Sequence, residues 1–128
     1  MVKLVQCIRK QSRLGVDEFR AAWEGYGENL RAVAIELGAV RVTLSTTLET
    51  PLNDALAAAR GSARAFDGVA EIVWPSGAAI LADATHPGTR ERIARLRALQ
   101  EEFADPGHSS FFFVHEQELL GERETAGA

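Results

Sequence analysis

Tyr26 stands between two glycines in the run Phe19-Arg-Ala-Ala-Trp-Glu-Gly-Tyr-Gly-Glu-Asn-Leu30. A phenol can donate a hydrogen bond to a developing enolate or act as a weak general acid; the same residue can equally be a core tyrosine with a satisfied hydroxyl. Gly25 and Gly27 either let a ligand approach the backbone or relieve crowding where a helix meets a sheet. His115 shares a strand face with Phe111 and Phe113, and an imidazole there suits a base near neutral pH. Close to the strand's end, it could also hydrogen-bond across an interface. Asp67 and Glu71 point to one side of another strand, but about 13 Å separates their attachment points, too far for a coupled acid/base pair. Partnership with Arg9 or Arg41, or a turn role for Asp67 before Gly68, is the expectation for them. The candidate chemistry is therefore Tyr26 as donor and His115 as base, with Trp23, Asn29, Glu71, Phe111 and Phe113 as substrate contacts.

The remaining signals narrow the class. His86, His108 and His115 share no metal-ligand spacing, and no glycine-rich phosphate loop, nucleophile elbow or dinucleotide fingerprint occurs, so neither a metal nor a cofactor is expected. The single cysteine, Cys7, lies in an apolar run and reads as a small buried hydrophobe. A net charge of -4 argues against a nucleic-acid partner. The basic run Arg90, Arg92, Arg95, Arg97 alternates with apolar residues at helical spacing and reads as a solvated, ion-paired face. No apolar stretch approaches the roughly 18 residues of a membrane span, and the N-terminus is too short and too charged for a signal peptide. A cytoplasmic location is expected.

These residues need elements to position them. The 128-residue chain is sized for one domain, here residues 1–120, followed by a flexible tail over 121–128. Val2 to Arg9 is a short strand apolar on both faces, hence central. From Gly15, apolar residues recur at Phe19, Ala22, Trp23, Tyr26, Leu30, Val33, Ala34 and Leu37, an amphipathic helix expected to bend or divide at Gly25 to Gly27 and to stop at Gly38. Val40 to Leu48 alternates as a strand; Asn53 to Arg60 makes two helical turns; Phe66 to Trp74 is a third strand. A second helix starts beyond Ser76, breaks at His86-Pro87-Gly88 and continues from Thr89 to Phe103, burying Ile93, Leu96, Leu99 and Phe103. Ser109 to Gln117 is the last strand. This order predicts an α+β, ferredoxin-like βαββαβ fold: a four-stranded antiparallel sheet with helices on one face. Phe111, Phe112 and Phe113 put rings on both sides of the last strand, so the uncovered face invites a homodimer through the sheets.

Several stretches, in order, resemble the EthD family of the dimeric α+β barrel superfamily. They are the strand Lys3 to Arg9 leading through Arg13-Leu14-Gly15 to Glu18-Phe19, the Phe19-x-x-x-Trp23 helix ending in Leu30, Phe66-Asp-Gly-Val-Ala-Glu-Ile-Val-Trp74, and Phe103-Ala-Asp-Pro106 before an aromatic strand. The resemblance covers about residues 3 to 118 and implies a dimeric barrel that binds a small apolar, aromatic or lactone-like metabolite between sheet and helices. It further implies cofactor-independent acid/base chemistry of a cyclase or isomerase type, with a non-enzymatic accessory role or a cofactor-free monooxygenase as alternatives. Aligned on Trp23 and Leu30, the histidine usual in relatives falls on Gly27.

Overall fold

The computed structural model describes residues 1–123, residues 81–84 by their backbone alone. Residues 124–128 of the expected tail lie outside the described residues. The chain runs β1 (Val2–Ile8), α1 (Val16–Glu36), β2 (Arg41–Thr46), α2 (Pro51–Arg60), β3 (Gly68–Trp74), α3 (Gly77–Ala84), α4 (Pro87–Glu101), a 3-10 turn (Pro106–His108) and β4 (Ser110–His115). The strands form one antiparallel sheet in the order β2-β3-β1-β4. This is the ferredoxin-like arrangement that the order of elements predicts, with β1 and β3 central and α1 packed against α4.

Register decides which side chains share a face, because cross-strand partners point the same way. Gln6 lies opposite Ala70 and Phe111, and Leu4 opposite Ile72 and Phe113; these residues face the helices. Val5 lies opposite Glu71 and Phe112, and Cys7 opposite Val69 and Ser110; these face away. Cys7 is accordingly half-buried on the uncovered side rather than in the core. Its thiol is pushed above the usual range by burial and, to a smaller extent, by the Glu71 carboxylate.

The helix-covered side holds an aromatic nucleus. Trp23 stacks between Phe19 and Tyr26 at centroid distances of 5.7 and 5.5 Å, and Phe103 meets all three edge-on. Gly68 makes room for it: a Cβ there would stand 2.7 Å from the Trp23 ring. The Trp23 Nε1–H donates to the Ser45 carbonyl at 3.2 Å, so the indole reaches β2 as well.

The helix α1 is not divided at Gly25 and Gly27 but runs through them as one element. Each glycine weakens a helix by about 1 kcal/mol relative to alanine, but the packed apolar face on either side outweighs that cost. The helix stops as expected at Gly38, whose φ of 76° is left-handed. The Ala39 N–H donates to the Ala34 carbonyl and the Gly38 N–H to Ile35, the Schellman closure. The basic run sits on α4, where Arg92 pairs with Glu36 of α1, Arg95 with Glu91 and Arg97 with Glu101. No described helix is long and apolar enough to cross a membrane.

Candidate functional site

Three polar side chains converge where α1 and α4 cover the sheet. Gln6 is one of them because β1 alternates and its even positions face the helices; Leu4 and Ile8 flank it on the same side. Tyr26 arrives from α1, one turn beyond Trp23, and Gln100 from the end of α4. The Tyr26 hydroxyl donates to Gln6 Oε1 at 2.7 Å. Gln100 Nε2 donates to the Tyr26 oxygen at 3.0 Å and to Gln6 Oε1 at 3.2 Å. The tyrosine is 1% exposed, and its pKa is pushed up to about 12, because burial penalises the phenolate more than the two glutamine hydrogen bonds favour it. At neutral pH it is a neutral phenol, able to donate a hydrogen bond and unable to act as a base.

This triad forms one wall of a cleft of about 450 Å³, completed by Ile93, Leu96, Pro106 and Phe111, with Arg97 and Glu101 alongside. Apolar walls with a few converging polar groups are the usual make-up of a small-molecule site. A larger and more open concavity, about 770 Å³, lies on the other flank of α1 against β2. Its charged residues, among them Glu24, Glu28, Arg31 and Arg41, project from exposed positions.

Gly27 belongs to that second concavity and not to the cleft at Tyr26. A Cβ on Gly27 would stand 2.8 Å from Leu44 Cδ2, so the place a histidine would take from this helix position is filled by a leucine of β2. Tyr26 and Gly27 are neighbours in sequence but about 100° apart around the helix, given 3.6 residues per turn. Tyr26 therefore does not stand in for a side chain at position 27; it serves a different space.

The candidates read from the sequence are dispersed by the fold. Tyr26 and Phe111 meet in the cleft. Trp23 is wholly buried in the aromatic nucleus behind it. Phe113 is the next residue along the same strand face and packs on Trp74 at 6.4 Å. His115 lies opposite Val2 and is exposed. Four residues of strand, about 13 Å, separate it from Phe111, so Tyr26 and His115 are not assembled as donor and base. Asn29 is exposed and folds back on its own helix, its Nδ2 donating to the Gly25 carbonyl at 2.9 Å. Glu71 faces the uncovered side, where it pairs with Lys3 at 3.6 Å and accepts from Thr43 Oγ1 at 3.3 Å. The expected arginine partners are thus replaced. Arg41 pairs with Glu116, and the Asp67 carboxylate accepts the Lys10 backbone N–H at 2.9 Å. Gln6 and Gln100 are the residues that sequence reasoning missed. Each left a trace: an amide among apolar residues on the covered face of β1, and an amide in register with Ile93 and Leu96 on the covered stripe of α4.

This geometry defines a ferredoxin-like α+β fold with a ligand-sized cleft between sheet and helices. No family model matches the sequence, and no curated protein matches it. Solved structures do share its fold. A dimeric protein of unknown function and ferredoxin-like fold from Bacteroides fragilis superposes with a TM-score of 0.61 at 9% identity, over 90% of this chain and 95% of that one. SnoaB, a cofactor-independent oxygenase from Streptomyces nogalater, gives 0.55 at 18% identity over 94% and 97%. An EthD family protein from Bacillus halodurans gives 0.55 at 13% over 91% and 99%. The ferredoxin-like protomer fold expected from the sequence is the fold observed.

Proposed function

We propose that this chain is a cytoplasmic, EthD-like small-molecule-binding protein, a homodimer through the uncovered sheet face, that holds an aromatic or lactone-like metabolite in the cleft at Tyr26. The observation that carries the reading is the convergence of Tyr26, Gln6 and Gln100 on a cavity that Ile93, Leu96, Pro106 and Phe111 also wall, with the charged Arg97 and Glu101 alongside. A buried polar cluster costs free energy to build, and placing it at the edge of an apolar cleft gives it a ligand to orient. The phenol's raised pKa favours binding over proton abstraction. Dimerisation is supported by Phe112, 45% exposed beside Val5 on the uncovered face.

A second reading, turnover without a cofactor, draws on the fold shared with SnoaB. In that case the Tyr26 hydroxyl would turn from Gln6 to stabilise an enolate oxygen, and oxygen would be consumed with an electron-rich phenolic substrate.

The test is a ligand-detected NMR screen of bicyclic aromatic ketones, phenols and lactones against the wild type and Leu96→Trp, whose indole fills the cleft. Binders that compete with one another and are lost in Leu96→Trp are expected. An empty screen, or binders that Leu96→Trp retains, would overturn the assignment.

A further inference from the structure

The hydrogen bonds within the triad leave two of its atoms over. A side-chain amide has a donor end and an acceptor end. Gln6 uses its oxygen to accept from Tyr26 and Gln100, and Gln100 uses its nitrogen to donate to Tyr26 and Gln6. Among the described residues, the Gln6 nitrogen and the Gln100 oxygen enter no hydrogen bond, and no buried side-chain nitrogen or oxygen is left without a partner. Both ends therefore reach accessible space, and the space that both residues line is the cleft.

The count does not depend on which way the amides are turned. Reversing both together keeps the internal bonds, with Gln6 donating and Gln100 accepting, and again turns one acceptor and one donor outward. Reversing only one sets like atoms of the two amides face to face at 3.2 Å, which a hydrogen bond cannot bridge. The two amides thus offer the cleft one donor and one acceptor; the charged residues that also line it, Arg97 and Glu101, are exposed and pair with each other at 3.2 Å.

Resting on the binding role given above, we propose that the cleft selects flat ring compounds carrying a hydrogen-bond acceptor and a donor on the same edge, such as lactams or enolised hydroxy-carbonyl compounds. Isosteres with an acceptor alone are discriminated against. The physical basis is the penalty for burying a polar group without a partner: a ligand that covers both amides and answers only one leaves the other dry. Tyr26 acts as a positioning residue here, since its hydroxyl and oxygen are both engaged in fixing the two glutamines.

Three bicyclic probes of nearly equal size separate the possibilities: 2-quinolone, with adjacent C=O and N–H; coumarin, with the same C=O and a ring oxygen; and naphthalene, with neither. Isothermal titration of the full chain is expected to give 2-quinolone about tenfold tighter than coumarin, the effect of one hydrogen bond, and naphthalene weaker again. Of Gln6→Met and Gln100→Met, the one that removes the outward acceptor should bring quinolone and coumarin within about threefold, while the other removes the donor that meets the carbonyl of both probes and should weaken both alike. Gln100→Met keeps the Tyr26 to Gln6 bond and so guards against a folding defect in the other variant. Equal affinity for quinolone and coumarin in the wild type, or a gap that survives both substitutions, would overturn the selectivity while leaving the binding role intact. Failure of all three probes to bind would sink the binding role and the selectivity together.

Discussion

On the helix-covered side of the sheet, polar groups are buried and answered by uncharged partners: Gln6 by Tyr26 and Gln100, Trp74 Nε1 by the Leu37 carbonyl at 3.0 Å. On the uncovered side charged groups are answered mainly by opposite charge, with Thr43 adding a hydrogen bond to Glu71. Lys3 reaches both Glu71 and Glu116, and Arg41 reaches Glu116 at 2.8 Å. These contacts, Lys3 first among them, hold the Glu116 carboxyl below the usual carboxylate range. The difference follows from solvent. A charge is costly to bury and cheap to leave half-exposed, whereas a neutral amide can be buried wherever its hydrogen bonds are made. In the function proposed above, the first face holds a mostly apolar ligand and the second meets another copy of the chain.

The contrast is most severely tested by truncating one aromatic residue on each side. Trp23→Ala should cost about 3–5 kcal/mol in urea unfolding, as for a fully enclosed ring whose space cannot collapse. Phe112→Asp should leave the denaturation midpoint at low protein concentration nearly unchanged and shift the sedimenting species toward the monomer. A large stability loss with Phe112→Asp would show that the uncovered face is not waiting for a partner.

A smaller effect comes from proton linkage at Tyr26. Its pKa lies near 10 in the unfolded chain and at about 12 in the fold. The native state therefore holds its proton longer, so the contribution is fully present below pH about 10 and is lost as pH rises through about 12. Stability should fall by about 2–3 kcal/mol across that window, and Tyr26→Phe should flatten the fall. An equal slope in the phenylalanine variant would place the titration elsewhere.

Smaller still is the difference between the two glycines flanking Tyr26. A Cβ at Gly25 meets nothing within 4 Å, so Gly25→Ala should stabilise by about 0.5–1 kcal/mol through helix propensity. At Gly27 the same gain is opposed by displacement of Leu44, and the net change in thermal midpoint should be near zero or downward. Matching gains at both positions would mean that Leu44 yields freely.

The strands and helices were legible because their apolar positions repeat at two distinct periods, and the triple phenylalanine places rings on both faces of β4. The continuity of α1 was not, since glycine propensity is local while the face that holds the helix together is assembled from α4 and the sheet. The site was half legible. Tyr26 and Phe111 are conspicuous by residue type, but Gln6 and Gln100 are ordinary amides 94 positions apart, and only their placement on covered faces marks them. Glu71 was drawn toward the site by its chemistry alone. Alternation assigns it to the Val5 side, which register shows to be the side without helices.

The near-parallel stacking of Trp23 on Tyr26, with ring planes 19° or less from those of Phe19 and Tyr26, has an optical consequence. Chromophores held this close and this rigidly couple their transitions, so the near-ultraviolet circular dichroism of the native protein should carry an intense aromatic band that disappears on unfolding. Because Tyr26 is both part of that stack and part of the cleft wall, the chain contains its own label for occupancy, readable without any attached dye.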